Sequence, residues 1–171
     1  MQKLILRYGL IATLVMITIG IINLTFLKSL SYELQEVAGY LTLFVAVLFV
    51  FFGIRKYRDL NGGNLRFVDG LKIGLLIVLI PAISFGLFDI LYTEVIDPTW
   101  KETYYNRNFE LIKSLPPDEY AVKKKQLEEQ RAMFTSPGIQ FLLMSSTVLI
   151  LGLIVTVISS LALSRKTTNH S

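Results

Sequence analysis

There is no cysteine among the 171 residues of this chain. That excludes disulfides, zinc–thiolate sites, iron–sulfur clusters and thiol catalysis. Histidine is almost missing. The one imidazole, His170, reads as a solvated residue at the end of the sequence, not a base or a ligand. Charge is thin as well: Asp, Glu, Lys and Arg make up 18% of the residues, where soluble domains carry about a quarter. No G-x-x-x-x-G-K-[ST] loop, H-E-x-x-H helix, dinucleotide fingerprint or Ser-His-Asp set occurs. Nucleotide, zinc-hydrolase and triad chemistry therefore lack their carriers. The expectation is no enzymatic activity, no catalytic residue, no cofactor and no metal.

What is present is apolar: 53% of the residues are hydrophobic and the mean hydropathy is +0.55. A bilayer-spanning helix needs roughly 20 apolar residues, since the hydrocarbon is about 30 Å thick and each residue rises about 1.5 Å. Four runs meet that length: Tyr8 to Leu27, Val37 to Ile54, Leu71 to Tyr92 and Gly138 to Leu163. Each is too long and too uniformly apolar for strands. The first has a basic start, Lys3 and Arg7, but its apolar core exceeds the roughly 7–15 residues of a signal peptide. It is expected to stay as a span. Pro81 falls inside the third run and is tolerable in a bundle whose neighbours meet the freed carbonyl. The chain, 1–171, thus reads as a single all-α membrane domain, a four-helix bundle with an extracytoplasmic helical insert, 93–137, between spans three and four.

The basic residues cluster. Arg55, Lys56, Arg58, Arg66 and Lys72 surround the turn Asn61-Gly62-Gly63-Asn64, with only Asp59 and Asp69 against them. With four spans, this hairpin shares a side with both termini, where Lys3, Arg7, Arg165 and Lys166 add to it. Lys and Arg are enriched on cytoplasmic flanks, so both termini are expected inside. The opposite side carries a similar number of cations, diluted over 93–137 and balanced by acids. The hairpin is mainly a topological anchor. Its sharper reading is contact with anionic lipid, to which juxtamembrane Lys and Arg are attracted. Nucleic-acid binding is not expected, because no recognition module accompanies the net charge of +4.

Small residues mark packing faces, since close approach holds spans together in lipid. The second run has Gly39, Ala46 and Gly53 at seven-residue spacing; the third has Gly70, Gly74, Ala82 and Gly86 on a four-residue ladder interrupted by Val78; the fourth has Gly152 among Ser145, Thr156 and Ser159. Contact among the four spans is the simpler use, and self-association the alternative. In the 93–137 segment, Trp100, Tyr104, Leu111 and Leu115 recur at helical spacing, and Tyr120, Leu127 and Phe134 recur every seven residues. A helical hairpin follows, either solvated or a docking surface for a membrane or periplasmic protein. Asp89 is the one acid inside an apolar run. Intramembrane carboxylates are candidate polar sites, but its place near the outer end suggests that it reaches the interface or bonds Tyr92 or Asn23.

The run "FFGIRKYRDLNGGNLRFVDGLKIGLLIVLI", then "YTEVIDPTW" and the closing apolar span, resembles domain of unknown function 4199. The resemblance covers nearly the whole chain. Its most specific pieces are Gly53-Ile54-Arg55, Tyr57-Arg58-Asp59, Phe67 with Gly70 through Gly74, and Ile96-Asp97-Pro98. It implies a small four-span protein of a bacterial inner (cytoplasmic) membrane, and it transfers no catalytic residue and no ligand. Asp89 is not part of that pattern. The role expected is a non-enzymatic accessory or interaction protein, with a small transporter or channel component as the alternative.

Overall fold

In the structure, a computed structural model, residues 1–26 and 32–164 are described. The expected helix start at Ser31, together with Leu27, Lys28, Arg165, Lys166 and His170, lies outside them. Among the described residues six α-helices appear in the order α1 Gln2–Phe26, α2 Tyr32–Leu60, α3 Phe67–Leu91, α4 Trp100–Ile112, α5 Pro117–Met133 and α6 Pro137–Leu163. A π-helical turn, Tyr92–Ile96, continues α3. There is no strand among the described residues. Four stretches are long and apolar enough to cross a membrane: Gln2–Phe26, Val37–Leu60, Phe67–Ile96 and Pro137–Leu163. This is therefore a multi-pass membrane protein. Helices suit such sequences because they satisfy every backbone N–H and C=O within the segment.

The helices overrun the apolar runs. The second runs on through Arg55, Lys56, Arg58 and Asp59 to Leu60, and the third starts at Phe67, ahead of Asp69, because backbone bonding there does not depend on hydropathy. Gly62 stops α2. Its φ is +66°, a left-handed conformation that costs glycine little, and Gly63 N–H then reaches back to the Arg58 carbonyl at 3.0 Å. Pro81 is buried within an uninterrupted α3.

The described residues form two compact units. One comprises Met1–Phe85 and the chain from Ser145 onward; the other is Gly86–Met144. In the first, Met16, Leu43, Val47, Val50, Ile54, Ile73, Ile77, Val78 and Val148 are all buried in one core. Helix α3 is its hub, and glycines make the contacts. A Cβ added at Gly9 or Gly53 would run into Ile80 or Ile77 respectively, and one at Gly152 would lie 2.6 Å from Val78 Cγ2. Val78, which breaks the small-residue ladder, thus fills the notch that Gly152 leaves. In return, Gly70 receives Ser160 and Gly74 receives Thr156 from α6, with Oγ and Oγ1 each 2.7 Å from an added Cβ. Ala46 is fully buried. Gly39 differs: a Cβ there meets nothing within 4 Å, so no contact among the described residues explains its small size. A polar clasp joins α1 to α2, where Asn23 Nδ2 donates to Thr42 Oγ1 at 2.8 Å and to the Ala38 carbonyl at 3.2 Å.

In the second unit, α4 and α5 pack as a hairpin. The seven-residue series is its seam: from Pro117 to Phe134, Tyr120, Leu127 and Phe134 alone are half-buried, and every other residue is exposed. On α4 the inward stripe centres on Tyr105, with Lys101, Phe109 and Ile112. Leu111, expected on that stripe, is 60% exposed. At about 100° per residue it lies roughly 120° from Tyr105 around the helix, beyond the seam.

Candidate functional site

The polar chemistry of the second unit gathers where α3, the π turn and α6 meet. Gln140 is 1% exposed and Thr93 3% exposed; Asp89 is half-buried. Gln140 Nε2 donates to Asp89 Oδ2 at 2.5 Å and to Thr93 Oγ1 at 2.8 Å. The Thr93 hydroxyl in turn donates to the Asp89 carbonyl at 3.0 Å. The two helices are placed for this by ordinary local rules. Thr93 lies one turn beyond Asp89, so both face α6, and Gln140 N–H opens α6 by bonding the Ser136 carbonyl at 3.0 Å. The turn between Thr93 and Ile96 is π-helical, closed by Asp97 N–H on the Tyr92 carbonyl at 2.7 Å. Single π turns within helices recur at functional sites.

This differs from the expectation for Asp89. Its partner is neither Tyr92 nor Asn23 but Gln140, 51 residues further along the chain. The helix also does not end at Tyr92. Because the π turn carries the apolar span to Ile96, Asp89 lies about 10 Å inside its end rather than at it. Gln140 has no counterpart in the sequence reading. Its Oε1 is buried without a hydrogen-bond partner, an uncommon state for a buried polar atom.

Lys101 Nζ donates to Glu94 Oε1 at 2.5 Å and to the Phe134 carbonyl at 3.3 Å. Its charge reaches Asp89, whose hydrogen-bonded side-chain partner is the neutral Gln140 amide. Among the described residues no group of three or more His, Cys, Asp or Glu side chains could hold a metal. On the hairpin, burial holds the Tyr105 phenol above its ordinary pKa, helped by Tyr104.

In the first unit the basic residues separate into two classes. Arg66 makes a two-pronged pair with Asp69 at 2.6 and 2.9 Å, and that hydrogen bond and charge raise its pKa further. Arg58 similarly holds Asp59 at 2.9 and 3.2 Å. Arg55, Lys56 and Lys72 are exposed and make no salt bridge among the described residues, though the Lys72 charge reaches Asp69. The Gly62-Gly63 turn does not present a free pair of N–H groups, since Gly63 N–H is spent on Arg58. Of the packing positions read from sequence, Ala46, Gly53, Gly70, Gly74, Gly86 and Gly152 are all buried, and Gly39 is half-buried in open space.

The family described as Protein of unknown function (DUF4199) matches residues 7–165. No curated protein and no solved structure matches the chain.

Proposed function

From the premise that the chain belongs to the DUF4199 family, we propose that it is a non-enzymatic accessory or interaction protein of a bacterial inner membrane. In this reading the four apolar helices form one bundle with both termini cytoplasmic. The α4–α5 hairpin then projects on the extracytoplasmic side and meets a membrane or periplasmic protein. One observation carries the reading: α5 buries none of its own residues, so 17 residues of ordered helix leave almost their whole surface for contact. Val122, 58% exposed, sits on that surface. The orientation is supported by the exposed Arg55, Lys56 and Lys72 around the Gly62-Gly63 turn.

The test is a photocrosslinking amino acid at Val122 in native membranes. A discrete protein adduct, absent when the crosslinker is moved to the buried Tyr105 position, supports the proposal. Adducts to lipid alone defeat it. A second reading, a small transporter component, is favoured by the Asp89–Thr93–Gln140 cluster, because polar groups inside spans mark ion pathways and relays. Flux of sodium, potassium or protons through proteoliposomes of the purified protein decides for that reading.

A further inference from the structure

We propose that Asp89, Thr93 and Gln140 form a binding site for one monovalent metal cation, sodium or potassium. The inference depends on neither reading of the protein's role, since a bound cation serves equally as a structural ion, a regulator or a transported species.

The first ground is charge. Asp89 is a carboxylate within an apolar span, and its bonded side-chain partner is the neutral Gln140. Lys101, whose positive charge reaches Asp89, makes its own bonds to Glu94 and the Phe134 carbonyl and none to the carboxylate. Ionised groups in spans pair with an opposite charge or line an ion path. One carboxylate balances one positive charge, and among the described residues no second acid or imidazole joins Asp89 in a group of three.

The second ground is the ligand set. Hard cations take oxygen donors, and this site offers the Asp89 carboxylate, Thr93 Oγ1 and Gln140 Oε1. The Thr93 hydrogen is committed to the Asp89 carbonyl, so its lone pairs face Gln140. Asp89 Oδ2 and Thr93 Oγ1 therefore present acceptors to one point, which the positive end of the Gln140 amide occupies at 2.5 and 2.8 Å. A half-turn of that amide exchanges Nε2 for Oε1, which has no partner where it lies, and sets a third oxygen beside the other two. A cation seated among these three oxygens then replaces the donated hydrogens, and Nε2 moves to the place that Oε1 leaves. The π turn at Tyr92–Ile96 loosens the regular bonding of the backbone next to the site. Interrupted helices coordinate sodium through their carbonyls in transporters.

The third ground is burial. Gln140 is 1% exposed, so water does not freely satisfy Oε1. Ligand coordination supplies what the protein leaves unmet.

The experiment uses the full chain in detergent or nanodiscs. Thermal unfolding is followed in sodium, potassium and N-methylglucamine chlorides at one ionic strength, with binding of radioactive sodium measured in parallel. The expected result is a saturable rise in the wild-type midpoint with sodium or potassium over N-methylglucamine. The rise should be lost in Asp89→Asn and Gln140→Leu and kept in Gln140→Glu. Identical wild-type midpoints in the three salts overturn the proposal. So does a cation-specific shift that survives undiminished in Asp89→Asn. If that variant does not fold, Thr93→Val takes its place, with a weakened shift expected and an unchanged one counting against the site.

Discussion

Replacing Gly74 by alanine adds one methyl group at a tight contact between α3 and α6. The new carbon would lie 2.7 Å from Thr156 Oγ1 and 3.0 Å from Ile54 Cδ1, with Thr156 Cγ2 closer still. The Ile54 terminus can swing aside. Thr156 cannot easily do so: it is β-branched, so its rotamer choice in a helix is narrow, and it is 0% exposed. Overpacking of this kind costs about 1–3 kcal/mol. At about 2–4 °C per kcal/mol for a chain of this size, the melting midpoint should fall by about 2–12 °C. The intrinsic helix preference of alanine over glycine opposes this by about 0.5–1 kcal/mol, so the observed fall should sit in the lower half of that range. The assay is thermal unfolding in detergent, run with two controls. Gly39→Ala adds a methyl group into open space and should leave the midpoint unchanged or raise it. Thr156→Ala removes both offending atoms and a hydroxyl that has no partner, so the double variant should regain most of what Gly74→Ala loses. Equal midpoints for Gly74→Ala and wild type would refute the packing argument. Loss in the double variant that simply adds the two single losses would refute the identification of Thr156 as the obstacle.

Three further outcomes are expected. Asn23→Ala removes the α1–α2 clasp and should cost about 0.6–2 kcal/mol in detergent melting, the range of interhelical hydrogen bonds in membranes. Gly62→Val places a branched residue at φ +66° and should destabilise by at least about 1–2 kcal/mol, while Gly62→Asn, which tolerates that conformation, should be milder. For topology, a periplasm-active reporter fused after Lys113 should be active and one fused after Arg66 silent; the reverse pattern overturns the orientation.

How much of the fold can be read in advance depends on whether the signal is local. The four spans are set by length and apolarity, which are properties of single segments, and the observed helices contain the expected runs within the described residues. The α5 seam was equally legible, because a seven-residue repeat of Tyr120, Leu127 and Phe134 has no use except a shared face. The α4 face was less so. Its apolar residues outnumber its inward positions, and hydropathy alone cannot choose between Leu111 and Phe109. The ladder on α3 gave the packing face but not the role of Val78. An interruption in a small-residue row reads as a fault until the facing helix is known to carry a glycine at the matching height.

Gln140 shows the same limit at the site. One amide among 27 residues of α6 hardly changes the apolar character of the segment, and a partner 51 residues away leaves no spacing to recognise. Depth would have found it. Asp89 lies about 10 Å from the end of its span and Gln140 about 5 Å from the start of the next, counted at about 1.5 Å per residue. Both ends lie in one compact unit, Gly86–Met144. A half-buried carboxylate and a buried amide within one unit each need a partner that lipid cannot supply. Pairing polar residues by depth, not by sequence separation, is therefore the reading that joins Asp89 to Gln140. Applied to α1 and α2, the same rule joins Asn23 to Thr42, near the last turn of one span and the early turns of the next, and that pair is bonded at 2.8 Å.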